Sequence, residues 1–230
     1  VKRFLLIFAA ILLSLSAFGR ENLKVEQLGL AYITTETVQA ELKLTATQKN
    51  LVKTEFGSYL RQAQKILTDL TKENESQRKS ELRRVQDGVS AKVLGSLTPA
   101  QRLRLRQLVL QIKGSWALLI PEVKSALKLT PAQEKRIRTC QQEVFNKVAE
   151  LEKQRQQQLS LIPRPSNRKD EAAVAAYKKK VEDQVAAFRR VDLPTISKYE
   201  MDGKAKALEV LTETQRKAWV QMLGPKWNPK

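Results

Sequence analysis

An all-α protein is predicted, and three observations predict it. Glycine is scarce, at eight in 230 residues, while Ala, Leu, Lys, Gln, Arg and Glu, the stronger helix formers, are abundant. Apolar residues recur at spacings of three and four, and no segment shows the strict alternation of a half-buried strand. Most specific is the pentapeptide Leu-Thr-x-x-Gln, which occurs four times, at Leu44-Thr45-Ala46-Thr47-Gln48, Leu97-Thr98-Pro99-Ala100-Gln101, Leu129-Thr130-Pro131-Ala132-Gln133 and Leu211-Thr212-Glu213-Thr214-Gln215. Each copy is a capping box. The Thr hydroxyl can accept from the backbone N–H three residues on while the Gln reaches back to the Thr N–H, so two donors that a new helix leaves unpaired are satisfied together. Pro99 and Pro131 take the first helical position, where a missing N–H costs nothing. One box is an ordinary helix start; four with the same Leu and the same Gln are an internal repeat.

The elements follow in order. Residues 1–19 read as a secretory signal peptide: Lys2 and Arg3 are the charged region, Phe4 to Ala17 an uncharged and mostly apolar stretch, and Ala17-Phe18-Gly19 offers small residues for cleavage. Read as an anchor, those fourteen apolar-stretch residues would reach about 21 Å, short of a hydrocarbon core of about 30 Å. No Cys lies beside the cleavage site, so a lipid-modified terminus has no acceptor. Charged residues interrupt every apolar run after Leu28. The mature chain, from Arg20, is therefore expected to be soluble and periplasmic or otherwise extracytoplasmic, with residues 20–35 as a lead segment.

Two tandem helical units come next. In the first, 36–113, the box at Thr45 opens a helix whose stripe is Val52, Phe56, Tyr59, Ala63, Ile66 and Leu70. Gly114-Ser115-Trp116 and Pro121 punctuate the chain before the second unit, 121–223, where Ile137, Cys140, Val144, Val148 and Leu151 form the matching stripe. Leu42-Lys43-Leu44-Thr45 aligns with Leu127-Lys128-Leu129-Thr130, each after a short helix, while Leu94, Leu97, Thr98, Gln101 and Arg102 align with Leu208, Leu211, Thr212, Gln215 and Arg216. The order is A, B, A, B. The A boxes are 85 residues apart (129 minus 44) and the B boxes 114 (211 minus 97), so the second copy is 29 residues longer. A loop insertion near 156–180 is expected to hold the extra length, because Pro163-Arg164-Pro165-Ser166-Asn167 breaks the helix there. From Ala175 to Val191 the stripe thins to Val181, Val185 and Phe188 among Lys178-Lys179-Lys180, as in a helix covered on one narrow side. Residues 224–230 form a C-terminal tail.

Composition excludes most chemistry. Histidine is absent and Cys140 is the only cysteine, so no intramolecular disulfide, no Ser-His or Cys-His nucleophile pair and no ordinary soft-metal site can be assembled. Catalytic, cofactor-binding and metal-binding residues are each expected to be none, and the chain is not read as an enzyme. Cys140 falls in register with Ile137 and Val144, which fits a buried, inert thiol better than a redox switch. Trp116, Trp219 and Trp227 lie near helix ends, where packing is the plainer role. Without residues 1–19 the chain has 40 Lys and Arg against 24 Asp and Glu, a formal charge of +16. Solubility asks for a net charge of roughly 2 to 8 in a small domain.

The four boxes on a basic, exported chain resemble the Spy/CpxP-type LTxxQ family of extracytoplasmic proteins, over roughly Leu42 to Leu223. The resemblance implies thin antiparallel helical hairpins forming an elongated cradle, normally as a dimer, that binds unfolded clients without ATP or takes part in envelope-stress sensing. This chain departs from that pattern in being duplicated. It also has Glu134 after the third box, where the others have Lys49, Arg102 and Arg216. A duplicated chain is expected to be a monomer with two pseudo-symmetric halves, since one chain would supply the self-complementary surfaces of a two-fold dimer.

The Leu, Thr and Gln of the boxes read as structural, because capping explains them at about 1 kcal/mol each. Function is sought instead among the basic residues. Lys49, Lys53, Arg61 and Lys65 lie off the first apolar stripe, and Lys135, Arg138, Lys147, Lys153 and Arg155 are dispersed along the second long helix. A solvated face accounts for any one of them alone. Together with scattered Tyr, Phe and Leu they would capture unfolded or acidic client proteins, long-range charge raising the encounter rate and short apolar contacts holding loosely. A structural or polyanion-binding basic protein of the cell envelope is the competing reading, and salt separates the two. No nucleotide motif is present, and export argues against a specific nucleic acid.

Overall fold

The computed structural model describes residues 25–69, 71, 74–167 and 169–228; the expected signal peptide and Leu70 of the first stripe lie outside the described residues. The protein is all-α. Its helices are α1 (Val25–Leu28), α2 (Glu36–Glu41), α3 (Ala46–Thr68), α4 (Glu75–Ser96), α5 (Pro99–Lys113), α6 (Pro121–Leu127), α7 (Pro131–Ser160), α8 (Glu171–Glu209) and α9 (Glu213–Leu223), with 3-10 turns at Gly29–Ala31 and Gly114–Leu119 and no strand among the described residues. None of these helices is long and apolar enough to cross a membrane.

Two compact units emerge. The first holds the described residues up to Lys128 together with those from Lys217 on; the second holds those of Leu129–Arg216. They do not coincide with the sequence repeats at 36–113 and 121–223, because α6 belongs to the first unit and the boundary runs through α9.

In the first unit, α3 and α4 fold back on each other. The α3 stripe buries Val52, Tyr59, Ala63 and Ile66, and α4 contributes Val89 and Val93. α5 is the core helix. Leu105, Leu108, Val109 and Leu110 are fully enclosed, and three successive buried positions mean the helix is covered on most sides. Around it lie Ala117, Leu118 and Val123, and also Val25 and Ile33, all essentially inaccessible to solvent. The lead segment from Val25 on is thus part of the core, fastened where the Glu122 carboxylate accepts the Val25 N–H at 3.2 Å and pairs with Arg106. Gly29 lets α1 and its 3-10 turn approach α5, since a Cβ there would sit 2.8 Å from Leu105 Cγ. The C-terminal tail is fastened too. Gln111 donates to the Leu223 and Pro225 carbonyls and accepts the Trp227 N–H at 2.8 Å, and Arg104 bridges Glu41 and the Pro225 carbonyl.

Burial of Tyr59 has a pH consequence. It raises the phenol above the ordinary tyrosine value of 10.0. The folded state therefore resists ionisation more than the unfolded chain, so the contribution is intact below the unfolded value and is lost as pH rises through the raised folded value. Tyr59→Phe is expected to remove part of the loss of stability above about pH 10, measured by denaturant unfolding across alkaline pH.

The second unit is the α7–α8 helix pair. The extra length of this copy lies in both members: α7 has 30 residues against 23 in α3, and α8 has 39 against 22 in α4. Within the span 156–180 the residues up to Ser160 and from Glu171 on are helical, so the extension is mostly helix, with Asp170 capping α8 through the Ala173 N–H. Pro194 sits inside α8 without ending it. The Arg190 carbonyl that loses its helical partner there belongs to an exposed residue, where water can replace the missing donor. Burial is confined to the box end, at Ile137, Val144, Gly203, Ala207, Val210 and Leu211. Between residues 145 and 202 no described residue is fully buried.

Candidate functional site

All four boxes have the same geometry. In each, the Thr Oγ1 accepts the Gln N–H at 3.2–3.3 Å, and the Gln Oε1 accepts the Thr N–H at 2.9–3.0 Å. The Gln side chains then do something capping does not require. Gln48 Nε2 donates to Gln101 Oε1 at 2.8 Å and Gln101 Nε2 returns the bond to Gln48 Oε1 at 3.1 Å. Gln133 and Gln215 repeat the exchange at 2.7 and 3.2 Å. The spare N–H of Gln48 goes to the Ser96 carbonyl, that of Gln101 to the Leu42 carbonyl, and that of Gln133 to the Val210 carbonyl. Each A box is therefore stapled to its own B box, across 53 residues in one copy and 82 in the other.

Further equivalences mark the duplication. Lys43 and Lys128, matched by the sequence alignment, both adopt left-handed backbone angles (φ 50° and 51°) where α2 and α6 end. Arg102 and Arg216, which follow the two B-box glutamines, each turn Nε back to the carbonyl of the box Leu, Leu97 and Leu211, at 3.2 and 3.1 Å. The leucines themselves are packing residues. Leu44, Leu97 and Leu211 are at most 6% exposed.

The signal for the staple was present in the sequence. A capping box works with either Glu or Gln at its last position, yet all four copies have Gln. Of the two, an ionised Glu can only accept, whereas the Gln amide accepts at the cap while donating elsewhere. The restriction to Gln therefore marks donors with a second task.

The basic residues singled out from the sequence lie in two rows on two units. On α3, Lys49, Lys53, Arg61 and Lys65 are all exposed and make no ion pair among the described residues. On α7, Lys135, Arg138 and Lys147 are exposed, but two of these have partners: Arg138 pairs with Glu134 at 2.7 Å, and the Lys147 ammonium stands 5.1 Å from the centre of the Tyr199 ring. Arg155 differs from the rest. It lies five helical turns from Ile137, hence on the inner face of α7, where it is half-buried and paired with Glu152. Lys153 is exposed.

Between α7 and α8 an open notch of about 280 Å³ is lined by Leu151, Arg155, Phe188 and Val191 with Gln154, Gln158 and Gln184. Val148, Val181 and Val185 continue this half-buried seam. Cys140, expected to be buried, is half-buried, because the α7–α8 pair has no third layer at that level among its own residues. Trp219 is buried, whereas Trp116 and Trp227 are half-buried. No group of three or more His, Cys, Asp or Glu capable of holding a metal occurs among the described residues. Comparison with known proteins finds no matching family model, no matching curated protein and no matching solved structure.

Proposed function

We propose that the chain is an ATP-independent extracytoplasmic client-binding protein of the Spy/CpxP-type LTxxQ family, acting as a chaperone or envelope-stress adaptor. The observation that carries this reading is the outer stretch of the α7–α8 pair. A helix pair normally hides its apolar stripe, but here Leu151, Phe188 and Val191 border an open notch and no described residue from 145 to 202 is fully enclosed. Such a seam offers many small apolar contacts, each weak, to an extended chain. Exposed cations along α7 and α8 favour acidic clients and speed their arrival. Because one chain holds both A–B copies, the same reading has it act as a monomer.

The test is light scattering from a denatured, aggregating protein with and without the purified chain, in the absence of ATP. Suppression at near-equimolar ratio that persists at high salt is expected, since apolar contacts survive screening. The second reading, a polyanion-binding envelope protein, is favoured by the unpaired row on α3. It predicts no suppression of aggregation, and binding to a soluble polyanion that collapses with a few-fold rise in ionic strength.

A further inference from the structure

The far end of the α7–α8 pair carries a surface that lies beyond the residues lining the notch. Between Lys153 and Lys180 the chain has eight Lys or Arg and only two acids, Asp170 and Glu171, against 42 to 24 overall. Lys153, Arg164, Lys169 and the run Lys178–Lys180 are all exposed, and none makes an ion pair among the described residues. One of the two acids is already engaged, since the Asp170 carboxylate caps α8 by accepting the Ala173 N–H at 2.9 Å. Amid these cations stands Leu161, at 79% the most exposed large apolar side chain described, followed by half-buried Ile162 and by Pro163-Arg164-Pro165.

We propose that this tip docks on an anionic lipid bilayer, with Leu161 and Ile162 entering the boundary between headgroups and acyl chains and the surrounding lysines facing lipid phosphates. The combination of groups selects this partner. A soluble polyanion needs only the cations, whereas a leucine held in water within a basic stretch of chain gains free energy by entering an apolar medium. The two prolines restrict the turn that presents it. Lys178, Lys179 and Lys180 succeed one another at about 100° around α8, so they present charge on several sides of the helix. They begin about 10 Å from the start of α8, near the range of about 8–10 Å over which a charge acts at physiological salt. A cation near an anionic membrane surface raises partitioning about fivefold, so several together suffice for reversible docking without a spanning helix. The proposal does not require the client reading, since Leu161, Ile162 and Lys178–Lys180 do not line the notch.

Flotation of the full chain with vesicles of phosphatidylcholine containing about one-third phosphatidylglycerol, and with phosphatidylcholine alone, tests it. Tip variants run alongside, so that binding through the apolar stretch 4–17 appears as a constant background. Leu161→Glu is expected to lower partitioning to anionic vesicles about tenfold. The triple variant Lys178→Glu, Lys179→Glu, Lys180→Glu is expected to lower it about a hundredfold, with helix content unchanged in both. A control reversal of equal charge on α3, at Lys49, Lys53 and Arg61, should change it less than about threefold. The proposal is overturned if the α3 reversal acts as strongly as the tip reversal, or if both tip variants bind like the parent chain. It is equally overturned if Leu161→Glu has no effect while inorganic polyphosphate competes the chain off, which would make the tip a general polyanion site.

Discussion

Leu108→Ala is expected to lower the free energy of unfolding by about 2–5 kcal/mol, while Leu151→Ala lowers it by about 1 kcal/mol or less. Both remove the same atoms from a leucine on a long amphipathic helix, so sequence alone gives no reason for them to differ. The difference lies in what surrounds them. Leu108 is fully enclosed on α5, as are Leu105, Val109 and Leu110 near it, and truncation there leaves a space in a close-packed interior. Leu151 borders the open notch, where solvent already reaches the side chain and no sealed cavity forms. Denaturant unfolding followed by far-UV circular dichroism, with tryptophan fluorescence to report on the first unit through Trp219, measures both. Equal losses at the two positions would mean that the outer α7–α8 pair is packed as tightly as α5, and the open seam would not exist in solution.

Gln101→Glu is expected to destabilise the fold by about 2–3 kcal/mol at neutral pH, more than the roughly 0.5–2 kcal/mol expected for Thr98→Ala or Thr130→Ala. The substitution changes no volume and keeps the capping box, since Glu accepts the Thr98 N–H as well as Gln does. What it removes is the donor that Gln101 supplies to Gln48 Oε1 and the Leu42 carbonyl, and it turns an ionised carboxylate toward those acceptors. A protonated Glu can donate one of these bonds, so the folded state raises the pKa of the introduced carboxyl. The sign follows: the deficit is smallest below the unfolded value of about 4.3 and grows as pH rises through the raised folded value. A double-mutant cycle of Gln48→Ala with Gln101→Ala should show a coupling of about 1 kcal/mol. If Gln101→Glu were as stable as the parent at pH 7, the glutamines would be caps alone and the staple would carry no free energy.

The all-α fold and the four helix starts were legible because capping is local chemistry, written within five residues and enforced by Pro99 and Pro131. The duplication was legible for the same reason, and its structural counterparts, the paired left-handed Lys43 and Lys128 and the back-turned Arg102 and Arg216, fall at aligned positions. Long-range pairing was not. That Gln48 meets Gln101 depends on α3 and α4 returning to a common end, which periodicity does not encode, although the absence of Glu from all four boxes hinted at it. The lead segment was also unreadable as core: Val25, Leu30 and Ile33 are too few and too irregularly spaced to declare a face, yet Gly29 lets them close on Leu105. Charge alone puts Arg155 among the cations dispersed along the second long helix, whereas its helical phase places it on the inner face beside Leu151.

The client-binding account rests most heavily on the half-open seam of the second unit, and hydrogen–deuterium exchange of the chain with and without an unfolded, acidic client examines that seam directly. Slower exchange on client binding is expected across the outer stretches of α7 and α8, from about Phe145 to Gln158 and from about Val181 to Ile196, with α5 unchanged because its core face is already enclosed. Exchange along both outer stretches that is the same with and without a bound client would contradict it.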